Sequence, residues 1–411
     1  MHALNALSCR PFAWLWAGQT VSRFGDRLYQ VALVWWIVEK AHSASASGLV
    51  AACAFVPSIV TLLIGGAIVD RLPRAWVMLL SDLLRCGLTL CMAGLVVTDV
   101  LTDVLTVWPV CLISALFGVV NAFFAPAYAA LMPEVVPARL LPSANALTTL
   151  GAEVSGVLGP ALGALVVGFG LGQWAFFLDA ASFLVSAMCL LPSAVRGIGT
   201  RGEVAAPAHH GDLLQDVCAG FSVVRKSGWL SLTIMLLAVL NMTGRSAVNV
   251  ALPFLVRDHA SASVISLGAL YSLFSLGSLA GASALGILTP AKCRGILLYS
   301  GLSAAGVLTM MLGLATTMPA LGGLMCGLGA TLAFSQVLWD SLLQAKIAGA
   351  MLGRISGINL FGVQSLLPLG FVLVGSATDV WGASAVFVVC GGLMFSAALV
   401  GLSCASIRTL S

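Results

Sequence analysis

Apolar runs long enough to cross a bilayer recur along the whole chain, and this feature limits what it can fold into. Twelve are legible, at residues 12–38, 47–69, 76–98, 107–131, 143–169, 173–192, 229–256, 262–288, 295–315, 318–343, 354–377 and 382–405. About 20 apolar residues wound as a helix match the hydrocarbon thickness. Inside lipid the backbone has no water to bond to, so such a run takes the helix, which satisfies its own N–H and C=O groups. Composition closes the alternative of a soluble core: 60% of residues are apolar and 8% charged, where a soluble domain is about a quarter charged. The fifth and sixth runs are parted only by the Gly-rich turn at 168–172.

The remaining residues exclude other classes. A net charge of +4, dispersed over the chain, makes no case for nucleic acid. His2, His42, His209, His210 and His259 fall in tail or loop positions, so no intramembrane metal site is expected. The 11 cysteines are scattered without a CxxC pair and read as small hydrophobes. No cleavable signal peptide is expected, because the first apolar run is too long for one. No G-x-x-x-x-G-K-[ST] loop is present, so ATP is not the expected energy source.

Basic residues set the direction of threading. With both termini in the cytoplasm, 14 of the 19 Lys and Arg residues lie at the inner face and only Lys40 and Arg257 outside; Arg23, Arg27 and Arg245 lie within spans. The polar stretch "RGIGTRGEVAAPAHHGD" at 196–212 then parts two six-helix halves, with a short amphipathic helix expected near 213–224. The expected domains are an N-terminal bundle at 1–195, a cytoplasmic linker at 196–227 and a C-terminal bundle at 228–411. The halves echo each other: "QVALVWWIV" (30–38) with "NVALPFLVR" (249–257), "SANAL" (143–147) with "SGINL" (356–360), and "GPALGALVVG" (159–168) with "LPLGFVLVG" (367–375). Two pseudo-symmetric six-helix bundles flanking a midplane site are the architecture of a secondary transporter.

Charges in mid-span cost about 2.5–3.5 kcal/mol each on insertion scales and are functional candidates by default. The first span carries Arg23, Asp26 and Arg27, which can share one helical face. Repeat alignment sets Asp26 opposite Arg245, so Arg23, Asp26, Arg27, Arg245 and the nearby Asn241 are substrate-cavity candidates. A guanidinium keeps its proton, so Arg245 needs an anion, water or an anionic substrate. Low dielectric favours the protonated form of a carboxyl. Glu153 is therefore the first choice for proton coupling, with Asp26 second; the plainer alternative for either is a structural ion pair or interhelical hydrogen bond. Interhelical hydrogen bonding is the expected role of Asp179 and Asp340. Trp14, Trp16, Trp35, Trp36, Trp108, Trp174, Trp229 and Trp381 are expected mostly in an interfacial belt.

Four stretches, in order, resemble the major facilitator superfamily across nearly the full length. "GGAIVDRLPR" is similar to its loop signature G-x-x-x-D-R-x-x-R between the second and third helices, matched at Gly65 or Gly66, Asp70, Arg71 and Arg74, with Pro73 where glycine is commoner. "GVLGPALG", with Gly156, Gly159, Pro160 and Gly163, resembles the fifth-helix motif of its drug–proton antiporters. "FFAPAYAALMPEVVPARLLPSANAL" and "GRISGINLFGVQSLLPLG" resemble the branch of macrolide efflux proteins and enterobactin-type siderophore exporters.

The resemblance implies a cytoplasmic gate of Gly66, Asp70, Arg71, Arg74, Asp82, Arg85 and Arg354. Asp70 would cap the start of the eleventh span near Gly353 and Arg354, a carboxylate at a helix N-terminus being stabilised by roughly 0.3–1 kcal/mol. Arg71 and Arg74 would hold Asp70 and pair with Asp82, and Asp82 and Arg85 would share a face. The plainer alternative for the two loop arginines is membrane orientation alone. A tight contact of the fifth helix would prevent proton leak.

The expectation is thus a multi-pass, twelve-helix exporter of the inner membrane, exchanging an amphipathic or hydrophobic small molecule for protons, without cofactor and as a monomer. A siderophore exporter is the alternative within transport, and an importer or passive facilitator keeps the same fold. A non-transporting sensor is the alternative from another class; an enzyme lacks a convergent catalytic set. Asp70→Asn should abolish transport while leaving the amount of membrane-inserted protein unchanged, measured by flux and by membrane immunoblot; normal flux would remove the latch.

Overall fold

A computed structural model describes residues 2–69, 72–98, 107–197, 221–222, 224–225, 227–258, 263–288, 293–347 and 349–408. The helices are α1 (Arg10–Lys40), α2 (Ala44–Val69), α3 (Arg74–Val97), α4 (Trp108–Val135), α5 (Leu141–Gly168) and α6 (Gly172–Val195). They continue as α7 (Gly228–Asp258), α8 (Val264–Leu288), α9 (Arg294–Leu314), α10 (Met318–Lys346), α11 in two segments (Gly349–Ser365 and Leu367–Trp381) and α12 (Ala383–Ser403). No strand occurs among the described residues. Eleven of these helices are long and apolar enough to cross a membrane. The exception is α1, whose 31 residues are long enough but include Arg23, Asp26 and Arg27.

Local chemistry sets the boundaries. Proline stands in the first turn of α1, α4, α5, α10 and the second segment of α11, where its missing N–H would be unpaired in any case. The α5–α6 turn closes in a Schellman arrangement: the Leu171 N–H donates to Val166 O at 3.1 Å and the Gly170 N–H to Val167 O at 2.9 Å. Gly170 has φ +76°, a conformation that glycine takes without steric cost. The eleventh span, read above as one helix, breaks at Leu366 just before Pro368, whose ring cannot donate into the ladder. Helix α7 contains two π turns, Asn241–Arg245 and Ala247–Ala251; such turns occur often at functional sites.

The chain divides into two compact units, Met1–Ala206 with Ser263–Ser272, and Pro207–Ala262 with Leu273–Ser411. Within the first, α1 packs on α5 and α6, α3 on α4 and α6, and α2 on α4. Within the second, α7 packs on α11 and α12, α9 on α10 and α12, and α8 on α10. The pairings are the same, six helices on. Equivalent glycines make equivalent close approaches. A methyl on Gly163 of α5 would come within 3.0 Å of Leu28 Cα on α1, and one on Gly370 of α11 would press on Ser246 and Met242 of α7. Gly118 of α4 meets Ala54 O of α2, as Gly329 of α10 meets Phe274 O of α8. The repeats legible in the sequence are therefore repeats of helix packing.

One helix shows how inside and outside are divided. Gly151, Ser155, Gly159 and Gly163 of α5 are buried, while Leu150, Val154, Leu158, Leu162 and Leu165 stand exposed along another face. A four-residue stripe of small side chains admits a neighbouring backbone, and the leucine-rich face suits lipid. The tryptophans divide in the same way. Trp14, Trp108, Trp174 and Trp381 are exposed, whereas Trp35 and Trp36 are core residues, contrary to the belt expected for them. Trp16 donates to Leu147 O on α5 at 2.9 Å and Trp35 to Glu39 at 2.6 Å, which accounts for their inward position. Gly163→Leu should force α1 and α5 apart and destabilise the protein by about 1–3 kcal/mol. A lowered thermal midpoint in detergent, absent for Leu158→Ala, is the expected measurement.

Candidate functional site

Asp82 and Arg85, one turn apart on α3, form an ion pair in the middle of the first unit. Asp82 is fully buried and Arg85 is 3% exposed. The free oxygen of the carboxylate is also bonded: Ser186 Oγ on α6 donates to Asp82 Oδ2 at 2.6 Å, and Gln19 Nε2 on α1 donates to Ser186 Oγ at 2.8 Å. The guanidinium lies between two rings, 4.0 Å from the centroid of Phe124 on α4 and 4.7 Å from that of Phe183 on α6. A desolvated cation over an aromatic face gains about 2 kcal/mol or more. Four helices thus converge on one buried cation.

Two further acids share this environment. Asp179 of α6 is fully buried; Ser182 Oγ donates to its Oδ1 at 3.4 Å and Thr89 Oγ1 of α3 reaches its Oδ2 at 3.5 Å. Gly25 of α1 leaves the space that Asp179 and Ser182 fill, since a methyl there would lie 2.9 Å from Ser182 Cβ. The next residue, Asp26, interacts electrostatically with Arg85, Arg27 and Arg23, and with Asp82 and Asp179. Among the described residues Asp26 makes no hydrogen bond or ion pair. Arg85 Nε is buried without an acceptor among the described residues, a state that costs about 1–3 kcal/mol for a buried donor. The acids do not form a metal cage: among the described residues no group of three or more His, Cys, Asp or Glu could hold an ion.

The other sequence candidates have hydrogen-bond partners of their own or none among the described residues. Arg23 does not close on Asp26 as a hydrogen-bonded partner; it donates to Thr148 O on α5 at 2.8 Å and lies 5.9 Å from the Tyr128 ring. Arg27 is exposed, donates to Gln30 Oε1 at 3.2 Å, and rests its stem against Gly159 of α5. Gly156, Gly159, Pro160 and Gly163 are all buried. Glu153, seven residues before Pro160 on the same face of α5, makes no hydrogen bond or ion pair among the described residues. Asn241 donates to Leu237 O in its own helix at 3.1 Å. Arg245 is exposed on the first π turn and its carbonyl accepts from Asn249 Nδ2 at 2.8 Å.

Two expected contacts are corrected. Arg74 pairs with Glu134 of α4, not with Asp82. The reason is distance: Asp82 lies eight residues further into α3, a rise of about 12 Å. Asp82 and Arg85 accordingly belong to the bundle interior rather than to the loop with Arg74. Asp340 is bonded within its own helix, accepting from Gln336 Nε2 at 3.1 Å, and not between helices. Gly66 lies in α2, while Asp70, Arg71 and the Arg354 side chain lie outside the described residues.

Gln19, Ser186, Phe124, Phe183 and Glu134 escaped the sequence reading. A signal existed for some of them. Asp179, Ser182 and Ser186 recur at helical spacing on one face of α6, and Gln19 stands seven residues before Asp26 on α1. The aromatic partners had none, because a phenylalanine in an apolar run carries no mark of the cation it will cover. The second unit lacks this polar centre at the matching positions. Counted from the helix starts Arg74 and Arg294, the counterparts of Asp82 and Arg85 are the buried Leu302 and Ala305.

The family profile described as Major Facilitator Superfamily matches residues 15–370, and the chain belongs to that superfamily: it is a multi-pass membrane transporter of small molecules, not an enzyme. It is 24% identical over 392 residues to the macrolide efflux protein A of Streptococcus pyogenes, covering 95% of this chain and 94% of that one. With the multidrug efflux pump Tap of Mycobacterium tuberculosis it shares 22% identity over 386 residues, 90% and 89% of the two chains. With the enterobactin exporter EntS of Escherichia coli it shares 29% over 363 residues, 86% and 82% of the two. A crystal structure of a point mutant of the nucleoside transporter NupG has the same fold, with TM-score 0.79 at 12% identity over 96% of this chain and 99% of that chain. A POT family transporter in complex with a thioalcohol-conjugated peptide follows at TM-score 0.74, 12% identity and 96% coverage of both.

Removing only one partner of a buried ion pair leaves an uncompensated charge and costs about 3–5 kcal/mol. Arg85→Met should therefore lower stability by that amount, and the double change Asp82→Leu with Arg85→Met should recover most of it, read as thermal midpoints in a double-mutant cycle.

Proposed function

We propose that the protein is a proton-coupled exporter of a hydrophobic or amphipathic small molecule, of macrolide or multidrug type. The observation that carries this reading is near full-length similarity to three efflux proteins whose named cargoes differ: macrolides, multiple drugs and enterobactin. Charged groups within the first bundle are its physical complement, since α1, α3 and α6 hold acids in mid-span where protonation changes the net charge. In this reading the protein sits in the inner membrane with both termini in the cytoplasm, acts as a monomer without a cofactor, and draws energy from the proton gradient. Cargo would leave by alternating access of two repeats about a midplane site.

A second reading, export of an anionic siderophore, is favoured by the similarity to EntS and by Arg23, Arg27 and Arg245 in mid-span. An efflux-deficient bacterium expressing the protein should accumulate less labelled macrolide than the empty-vector strain, and should lose that difference when an uncoupler collapses the gradient. Equal accumulation in both strains would remove the macrolide reading; retention of a secreted chelator in a deletion strain would select the siderophore one.

A further inference from the structure

We propose that Asp82, Asp179 and Asp26, gathered about Arg85, form a proton-binding centre in the first bundle, separate from Glu153. The geometry supplies three grounds. Arg85 is the one fully buried cation of the cluster and, among the described residues, pairs with Asp82 alone, although it interacts electrostatically with all three acids. Its Nε–H is held inside the protein with no acceptor among those residues, so the guanidinium has donor capacity left for a second carboxylate. Asp26 has carboxylate oxygens with no hydrogen bond among the described residues, and of the three arginines that act on it Arg85 comes first.

Every element around the centre contributes to the charge balance. Helix α3 supplies Asp82, Arg85 and Cys86, α6 supplies Asp179, and α1 supplies Asp26, Arg23, Arg27 and Tyr29. Helix α4 places the neutral Phe124 against the guanidinium. Arg23 and Arg27 direct their donors to Thr148 O and Gln30 instead. Fully ionised, the two fully buried acids, Asp82 and Asp179, exceed the one fully buried cation by one charge, and arginine cannot adjust because it keeps its proton. The adjustable groups are the carboxyls.

A hydronium ion breaks one of its O–H bonds and leaves as water while its proton forms an O–H bond on Asp82; the Nη2–H···Oδ1 pairing of Arg85 with Asp82 breaks and re-forms on the Asp26 carboxylate. Ser186, which donates to Asp82 and accepts from Gln19, keeps α6 and α1 joined to the acid in both states. Departure of the proton reverses the exchange. The ion pair thereby links α3 to its own turn in one state and to α1 in the other. What the proton drives rests on the exporter reading; its binding here does not.

The test is infrared difference spectroscopy of the purified full-length protein in lipid, titrated between about pH 5 and pH 9, following the C=O stretch of a protonated carboxyl. Wild type should show a pH-dependent band, which Asp82→Asn or Asp179→Asn should remove and Glu153→Gln should keep. No such band in the wild type overturns the proposal without recourse to any variant. A band lost in Glu153→Gln and kept in both aspartate variants overturns it too. If Asp82→Asn does not fold, Asp26→Asn gives the second measurement: the band should persist with a shifted midpoint, because Arg85 loses its alternative partner, and an unshifted midpoint overturns the exchange. Macrolide flux in vesicles separates the two readings. A band that behaves as expected with no flux leaves the centre standing and removes the exporter, whereas proton-driven flux together with a band that persists in folded Asp82→Asn removes the centre and leaves the exporter.

Discussion

The Asp82–Arg85 ion pair depends on a constraint that governs the whole molecule: in hydrocarbon a charge has no water to fall back on. A lone ion of this kind is too costly to keep, so the interior arranges a counter-ion, hydrogen bonds and aromatic faces around it. That requirement draws α1, α3, α4 and α6 to one point, through Gln19, Asp82, Phe124 and Ser186. The ion pair is weak evidence for stability in itself, because desolvation offsets much of the attraction. Its effect is to specify which helix faces meet, since any slippage would strand a charge.

Small residues make that convergence possible. Gly25 lets α1 lie against Asp179 and Ser182, and Gly159 and Gly163 let α5 lie against α1. Between lipid-immersed helices apolar surface gains little from burial, so close packing and polar contacts drive association. The same device recurs in the second unit at Gly370 and Gly329, yet the matching α9 positions there hold Leu302 and Ala305. The repeats share their packing and differ in their polarity. Ionic machinery is thereby concentrated at the centre of the first bundle, while the second presents Arg245 on a helix loosened by two π turns.

Much of this was legible in the sequence because its rules are one-dimensional. Span length and the Gly-rich turn at 168–172 follow from bilayer thickness and local backbone chemistry, and the helices appear where those rules put them. The Asp82–Arg85 pair was readable from i, i+3 spacing, and the glycine stripe of α5 from spacing near four. Arg74 was misassigned because its partner, Glu134, is sixty residues away, and nothing local marks that distance. The break at Leu366 and the inward turn of Trp35 and Trp36 likewise depend on neighbours in space.

The amino-acid sequence by itself determined that the chain is a membrane protein, where its long apolar helices lie, that it is duplicated, and which rare charges fall within them. Those properties depend on how many residues of each kind stand in a row, which a one-dimensional string records in full. Only the tertiary structure decided which charges meet: that Arg85 rather than Arg23 or Arg27 pairs with a buried acid, and that Glu153 makes no ion pair among the described residues. Side chains on different helices come together by packing, and packing depends on shape complementarity between faces that are far apart in the chain.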